Sequence, residues 1–273
     1  MKDITIGACD WALPGNGLYA TAIAASAGLE TISLKIGLHE NDYPLTQPQM
    51  QKIYLEEQQK YGISYCAVAL NDFDNIPMHA RKGSLFYETV WDLLARSVKT
   101  AKALQVPMIQ VPAFLASEIK TGEDMEMSAK ALQYLCDLAG EADIRVASEN
   151  VLDAAHFKEL YERVNRPNFY LYFDSQNYEL NCGYKESEIL DELYPYMCDQ
   201  LHVKDGDEVM SGGLLGTGTS EFYDTISALD AHDYSGMILL ENYYDVYPLR
   251  TVKENPYDIL AEDIRILKDA VNA

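Results

Sequence analysis

The feature of this chain that most constrains its fold is the alternation of short apolar segments with longer segments of helical spacing. The alternation repeats eight times along the 273 residues. Near-continuous apolar runs such as residues 145–149 are typical of parallel strands that are buried on both faces. Strands that alternate strictly with helices predict a parallel sheet with right-handed crossovers. Eight such units in a chain of this length predict an α/β protein that is a single (β/α)8 TIM barrel.

Local sequence signals mark the ends of several expected helices. Gly62 is suited to end the second helix, Asp153 to cap the fifth, and Asn255 to cap the last, with Pro256 in its first turn. The alternative fold is an open doubly wound sheet, but no Gly-rich phosphate-binding turn follows the first strand. Because no linker or low-complexity tract interrupts the pattern, we expect one domain that spans residues 1–273.

Composition and charge exclude several classes of partner. The chain has 43 acidic and 21 basic residues and a net charge of −22, without any Lys/Arg-rich run. Proteins that bind nucleic acid normally present a basic surface, so we expect no nucleic-acid partner. No apolar stretch approaches the length of a membrane span, and the N-terminus lacks the apolar core of a signal peptide. We therefore expect no membrane partner and a cytoplasmic location.

The cysteines favour reduced thiols over a disulfide framework. The chain has five of them, an odd number, and they are widely spaced without a CxxC pair. Such spacing is typical of buried structural thiols in a reducing compartment rather than of disulfides or a zinc-thiolate site. We expect most of the five to be buried.

Four strongly polar residues end the last four expected strands. They are Glu149, Asp174, His202 and Glu241. In a barrel, the C-terminal ends of the strands meet at the face where catalytic residues lie, so we expect these side chains to converge. Two Glu, one Asp and one His form a nitrogen and oxygen ligand set that suits a divalent metal. Three converging carboxylates also repel one another unless a cation or protons neutralise them.

Each of the four residues has another interpretation when it is taken alone. Asp174, followed by Ser, Gln and Asn, fits an Asx turn. His202 fits a buried histidine that is hydrogen-bonded within the core, and Glu241 can reach solvent. The convergence of all four, rather than any one of them, favours a metal site.

Several short motifs resemble those of a known family. The series ENV, YFDSQN, LHVKD, GTG and LLENYY, in that order, resembles the xylose isomerase-like TIM-barrel superfamily. That superfamily contains sugar isomerases, sugar 3-epimerases, hydroxypyruvate isomerase, inosose dehydratase and endonuclease IV. The resemblance covers essentially the whole chain and is strongest over residues 145–244. It implies that Glu149, Asp174, His202 and Glu241 hold one divalent metal ion, which is Mn, Co, Mg or Zn.

The chain departs from the motifs of the superfamily at several positions. These differences disfavour some of the activities found within the superfamily. Asn177 occupies the position where endonuclease IV members have a second DxxH ligand, which together with the acidic charge argues against DNA repair. Ala155 and Glu208 replace a Glu and an Arg that are typical of the ketose 3-epimerase branch, which disfavours a free-ketose epimerase of that branch. Ser33 and Lys35 lie at the end of the second strand, where many members have a Glu.

The residues and the resemblance together predict an isomerase or epimerase that depends on a divalent metal. We expect it to act on a small sugar or related polyhydroxy carbonyl compound by proton transfer through an enediolate. Glu149 and Glu241 are the expected catalytic residues, one removing the proton and the other returning it. The expected substrate-binding residues are Asn177, Lys204, Trp11 and Tyr243.

Two other functions remain open from the sequence. The same metal site can serve a lyase that removes water from an inosose-type ketone. A barrel that binds sugar but has lost turnover is the second alternative. In each case the expected partner is a small sugar-like molecule, and barrels of this type often form homo-oligomers through exposed helices or loops.

Overall fold

A computed structural model describes residues 1 and 3–273 of the chain. Eight parallel strands close into a barrel in their sequence order, with helices between them, so the predicted (β/α)8 TIM barrel is confirmed. The strands are β1 (Ile4–Cys9), β2 (Thr31–Lys35), β3 (Ser64–Ala69), β4 (Met108–Pro112), β5 (Arg145–Glu149), β6 (Phe169–Asp174), β7 (Met197–Val203) and β8 (Gly236–Leu240).

The helices follow the strands as the sequence predicts, with an additional short helix after β6. Within the described residues, the α-helices are α1 (Leu18–Ala27), α2 (Pro48–Tyr61), α3 (Tyr87–Leu104), α4 (Gly122–Gly140), α5 (Ala154–Val164), α6 (Asn177–Cys182), α7 (Glu186–Leu193), α8 (Phe222–Ala231) and α9 (Pro256–Val271). None of these helices is long and apolar enough to cross a membrane.

The helix ends obey the predicted local signals. Gly62 follows α2 with a positive φ of 71°, a conformation that glycine adopts without strain. The Asp153 side chain accepts a hydrogen bond from the backbone N–H of His156 at 2.8 Å, and that of Asn255 accepts one from Tyr257 at 3.1 Å. Pro256 is the first residue of α9. These caps begin α5 and α9 at the predicted residues.

Glycine lets β1 pack closely against both of its neighbours in the barrel. Gly7 pairs with Thr31 of β2 on one side and with Leu239 of β8 on the other. A Cβ atom at this position would lie 2.5 Å from both the Leu239 side chain and the Thr31 carbonyl oxygen. A larger residue would therefore separate β1 from β2 or β8, and the C-terminal end of β1 would shift with it.

The contacts between residues divide the chain into two compact units. One unit comprises Met1–Ser33, Glu57–Ser64 and Phe173–Ala273, and it contains β1, β7 and β8. The other comprises Leu34–Glu56 and Tyr65–Tyr172, and it contains β4 and β5. The assignment of residues 1–273 to one domain stays a prediction. Four of the five cysteines are buried, as expected, and Cys182 is exposed.

Candidate metal centre

The structure brings four of the predicted site residues together. Glu149 and Asp174 are the last residues of β5 and β6, His202 lies one residue before the end of β7, and Glu241 directly follows β8. All four are buried, and each offers a ligand atom within 4.8 Å of those of the others. Parallel strands deliver these side chains to the same end of a barrel, which is where barrel enzymes carry their catalytic residues.

A buried lysine contacts two of the carboxylates. The Nζ atom of Lys204, at the end of β7, lies 2.5 Å from Glu241 Oε2 and 3.1 Å from Asp174 Oδ2. Only 2% of the lysine surface is exposed. A buried ammonium is costly unless anions pair with it, so these contacts stabilise the lysine and the carboxylates mutually. The sequence suggested a substrate contact for Lys204, and the structure shows in addition a direct link to two candidate ligands.

The loop after β6 fixes one oxygen of Asp174. Asp174 Oδ1 accepts hydrogen bonds from the backbone N–H groups of Gln176 at 2.9 Å and Asn177 at 2.8 Å. The Asx-turn interpretation of this aspartate is therefore correct, and it is compatible with membership in the cluster. One oxygen anchors the start of α6 while the other, Oδ2, contacts Lys204.

Glu149 is held by a polar residue that the sequence analysis missed. The side-chain amide of Gln110, on β4, donates a hydrogen bond to Glu149 Oε2. Gln110 is buried and lies in the middle of an otherwise apolar strand, Met108–Pro112. A lone amide in a buried strand needs hydrogen-bond partners, and this is the signal that identifies it in the sequence.

The C-terminal end of β1 contacts the other two candidate ligands. Trp11 Nε1 donates a hydrogen bond to Glu241 Oε1 at 2.9 Å, and the indole lies edge-on to the His202 ring with centroids 5.9 Å apart. Cys9 Sγ lies 3.2 Å from His202 Nε2. The other ring nitrogen, Nδ1, lies 3.4 Å from Glu241 Oε2. Cys9 was assigned to the buried structural thiols, so its contact with His202 was not anticipated.

The charge on Glu241 is set by opposing effects. Burial by itself raises the pKa of this carboxyl, but the positive charge of Lys204 and the interactions with His202 outweigh it. The net result is a pKa well below the ordinary value of a glutamate. Glu241 is therefore a carboxylate at neutral pH, available to bind a cation or to accept a proton.

Asp205 organises the Gly-rich segment that follows β7. Its carboxylate accepts hydrogen bonds from the backbone of Gly206 at 2.8 Å and Gly218 at 3.1 Å, and from the Ser220 hydroxyl at 2.6 Å. A Cβ atom at Gly218 would overlap the Asp205 carboxylate, which explains why the second glycine of the GTG motif is required. The segment of residues 206–220 is thus closed onto the end of β7.

A buried aspartate on α9 connects the same segment to the end of β8. Asp263 accepts hydrogen bonds from the Asn242 side-chain amide at 2.7 Å and from the Leu215 backbone at 2.9 Å. The Asn242 side-chain oxygen in turn accepts one from the backbone of Asp205 at 3.0 Å. Burial raises the pKa of Asp263 to about 6, although these hydrogen bonds oppose the increase. Asp263 therefore holds the residue next to Glu241 in place.

The remaining predicted substrate-binding residues differ in exposure. Asn177 is buried at the start of α6. Trp11 and Tyr243 are half-buried. The three residues follow the ends of β6, β1 and β8, respectively, by two or three positions.

The residues of the cluster fit a divalent cation. Asp174 Oδ2 and Glu241 Oε2 both contact one positive group, the Lys204 ammonium, so the structure already stabilises a positive charge beside these ligand atoms. Carboxylate oxygens and an imidazole nitrogen are suitable ligands for Mn, Co, Mg or Zn. The identity of the ion is not fixed by this donor set.

A separate groove lies on the outside of the barrel. It has a volume of about 720 Å³ and is lined by apolar and small residues of α1 and α9, with Tyr19 and Tyr257 at its edge. It contains no carboxylate, imidazole or thiol among its lining residues, so it offers no group for acid–base or metal chemistry. The chemistry-bearing residues belong to the cluster at the strand ends.

Comparison with known proteins agrees with this architecture. A family described as xylose isomerase-like TIM barrel matches residues 21–270. The 2-epi-5-epi-valiolone 7-phosphate 2-epimerase of Actinoplanes sp. is 31% identical over 225 residues, which is 82% of this chain and 81% of that protein.

Solved structures share the fold at low sequence identity. A xylose isomerase domain protein from Planctomyces limnophilus superposes with a TM-score of 0.76 and 17% identity, covering 98% of this chain and 96% of that one. A D-allulose 3-epimerase from Methylomonas sp. in complex with D-allulose gives a TM-score of 0.76 and 18% identity, covering 99% and 98%.

The fold and the curated relative support an enzyme of the isomerase and epimerase class. The chain belongs to the xylose isomerase-like TIM-barrel family. The resemblance drawn from its short motifs is thereby confirmed.

Proposed function

We propose that this protein is a metal-dependent epimerase or isomerase that moves a proton at a carbon next to the carbonyl of a small polyhydroxylated compound. The observation that carries the proposal is the buried cluster of Glu149, Asp174, His202 and Glu241. Buried carboxylates are costly, so a cluster of three indicates a function that needs their charge.

One divalent ion would be held by these four residues. When bound, it would polarise a carbonyl and neighbouring hydroxyl oxygen of the substrate and stabilise the negative charge that develops on proton removal. The choice among Mn, Co, Mg and Zn stays a prediction.

The chain's own residues carry the proton. Glu241 is ionised and is held by Trp11 on one oxygen and by Lys204 on the other, so it is oriented as a base. When the substrate oxygen becomes negative, the Lys204 ammonium donates to it instead of to Glu241. Loss of the lysine contact raises the basicity of Glu241 at the moment it accepts the proton. Glu149, oriented by Gln110, enters the step carrying a proton, gives it to the substrate carbon and is left as a carboxylate. The two glutamates then exchange protons with solvent before the next turnover.

The name of the curated relative supports a proposal for the substrate class. Its name describes a 2-epimerase of 2-epi-5-epi-valiolone 7-phosphate, a phosphate ester. We extend this to a phosphorylated sugar-like compound as the substrate of the present chain. The half-buried rings of Trp11 and Tyr243 would pack against its apolar face, and Asn177 would contact a hydroxyl.

The test is proton exchange in deuterated water. Protein loaded with Mn or Co is incubated with a panel of phosphorylated and free polyhydroxylated ketones, and products are followed by NMR and mass spectrometry. We expect deuterium to enter at one carbon without loss of mass as water. Glu149→Gln and Glu241→Gln should abolish deuterium incorporation. Glu186→Gln is the control and should retain incorporation, because Glu186 lies outside the set of four candidate ligands. Glu186 is also a buried glutamate, and burial raises its pKa well above the ordinary value.

Other outcomes separate the alternatives. Loss of water from a ketone would identify a lyase, and binding of a ligand without exchange would identify a sugar-binding barrel. Activity in a variant with both glutamates changed would contradict the two-carboxylate mechanism.

Two further predictions accompany this function. We infer a cytoplasmic location, which fits a small-molecule substrate, and assembly into a homo-oligomer. Fractionation of source cells and light scattering of the purified protein would test them.

A further inference from the structure

Residues at the end of β1 contact two of the candidate metal ligands, although none of the four ligands lies on β1. Trp11 donates a hydrogen bond to Glu241, and Cys9 contacts His202 at 3.2 Å. Cys9 is completely buried. A residue that does not bind the metal can still fix the orientation of a ligand side chain by hydrogen-bonding to it. The hydrogen-bond partners of metal-bound histidines generally have this role.

The two nitrogens of His202 face different groups. Nδ1 lies 3.4 Å from Glu241 Oε2, on the side of the carboxylates, whereas Nε2 lies 3.2 Å from Cys9 Sγ. A neutral imidazole that gives one nitrogen to a metal carries its proton on the other. With Nδ1 as the ligand atom, the Nε2–H group points at the cysteine sulfur.

We propose that Cys9 is a positioning residue of the metal centre, whose sulfur accepts the Nε2–H hydrogen bond of His202 and keeps Nδ1 directed at the carboxylates. This inference rests on the proposed function, because it assigns a role to Cys9 only through a metal-binding histidine.

A direct sulfur ligand is the competing assignment, because Cys9, His202 and Glu241 also form a group of ligand atoms within 4.8 Å of one another. The position of the sulfur on the ring favours a hydrogen bond instead. Cys9 Sγ lies 3.2 Å from Nε2, whereas Nδ1 is the ring nitrogen beside the Glu241 carboxylate, at 3.4 Å. A sulfur that faces Nε2 lies on the other side of the ring from an ion bound at Nδ1.

The choice of a thiol has a chemical consequence. Carboxylates and backbone carbonyls are the usual partners of metal-bound histidines, whereas a neutral thiol is only a weak acceptor. The edge-on contact of Trp11 with the His202 ring adds to the restraint. We expect removal of the thiol to weaken metal binding measurably without abolishing it.

The experiment compares metal affinity across matched cysteine variants. Metal-free wild type, Cys9→Ala, Cys9→Ser and Cys136→Ala are titrated with Co²⁺ by calorimetry. Cys136 is the control because it is equally buried but lies on α4, with a thiol whose pKa burial raises to about 12. We expect Cys9→Ala to lose about tenfold in affinity. Cys9→Ser, which retains an acceptor, should stay close to wild type, and Cys136→Ala should equal it.

Each other outcome has a definite meaning. Equal affinity of Cys9→Ala and Cys136→Ala, or equal losses in Cys9→Ala and Cys9→Ser, would overturn the positioning role while the proposed function stands. A sulfur-to-cobalt charge-transfer band that disappears in Cys9→Ser would overturn it by showing direct ligation. A wild type that binds no Co²⁺ would refute the proposed metal chemistry and the inference together.

A second measurement needs no variant. Wild type labelled with ¹⁵N-histidine and loaded with Zn²⁺ reports which ring nitrogen of His202 carries the proton. We expect the proton on Nε2. A proton on Nδ1 would overturn the inference even if the substitutions at Cys9 impair folding.

Discussion

The Lys204 ammonium lies 2.5 Å from Glu241 Oε2, and it also reaches Asp174 Oδ2 at 3.1 Å. A cation supplied by the chain itself therefore offsets part of the repulsion among the buried carboxylates before any metal binds. The same contacts explain why Glu241 remains ionised despite its burial. Lys204 thus orients the carboxylates of Asp174 and Glu241 before a metal ion binds.

Removal of the lysine charge should destabilise the metal-free protein. In Lys204→Met the carboxylates of Glu241 and Asp174 lose their buried counter-ion, which costs about 3–5 kcal/mol when one partner of a buried pair is removed. The depressed pKa of Glu241 stabilises the wild type above the ordinary glutamate pKa, so the loss should be full at pH 7 and shrink as the pH falls. Urea denaturation of metal-free protein measures it. Lys185→Met, at an exposed pair with Glu188, should leave the stability nearly unchanged, because solvent screens surface ion pairs.

The indole N–H of Trp11 should matter for catalysis more than its ring. Trp11→Phe keeps an aromatic ring beside His202 but removes the 2.9 Å hydrogen bond to Glu241 Oε1. A hydrogen bond to a charged group contributes about 1.5–3 kcal/mol, so we expect kcat/KM to fall by about tenfold or more. Trp91→Phe, at the other tryptophan of the chain, should leave kcat/KM unchanged. An equal effect of both substitutions would refute an orienting role for Trp11.

The buried carboxyl of Asp263 should make stability depend on pH. Its pKa is raised from 3.8 to about 6, so the folded protein binds this proton more tightly than the unfolded chain does. Wild-type stability should therefore fall, relative to Asp263→Asn, as the pH rises from about 4 to about 6, by up to about 3 kcal/mol. Denaturation at pH 4.5 and pH 7 measures the change. Asp269→Asn, at an exposed carboxyl on the same helix, is the control. If the difference in free energy of unfolding between wild type and Asp263→Asn does not vary with pH, the raised pKa of Asp263 is refuted.

Asp205 should control the order of the Gly-rich segment. Asp205→Ala leaves the backbone N–H groups of Gly206 and Gly218 without their acceptor. Each unsatisfied group costs about 1–3 kcal/mol unless water replaces the carboxylate. We expect a lower free energy of unfolding and faster proteolysis within residues 206–220. Asp207→Ala, an exposed residue of the same segment, should behave like wild type, and unchanged proteolysis of Asp205→Ala would show that the segment is ordered by other contacts.

The fold could be predicted because its signals are local and repeated. Each strand is a short apolar run, and caps such as Asp153 and Asn255 begin helices where they were expected. The short helix α6 was not predicted, because its six residues follow Asp174 without an apolar pattern of their own. Its start depends instead on the Asp174 carboxylate, which the sequence indicated as an Asx turn but not as the start of a helix.

The convergence of the four candidate ligands could be predicted from the sequence, but the residues that support them could not. Glu149, Asp174, His202 and Glu241 stand out because a charged or imidazole side chain directly ends an apolar run. Cys9 and Gln110 escaped notice, since a buried thiol and a mid-strand amide are also compatible with ordinary packing. Asp263 lies in an amphipathic helix far along the chain, so only the folded structure relates it to the end of β8.

The metal content of the purified protein shows whether the four-residue cluster binds a divalent ion. Wild type, a Glu149→Gln/His202→Ala variant and Glu186→Gln are incubated with Mn, Co, Zn and Mg, desalted, and analysed by inductively coupled plasma mass spectrometry. We expect close to one divalent ion per chain in the wild type and in Glu186→Gln, and none in the double variant. Wild-type protein that retains no divalent ion under any of these conditions would refute the proposed metal centre.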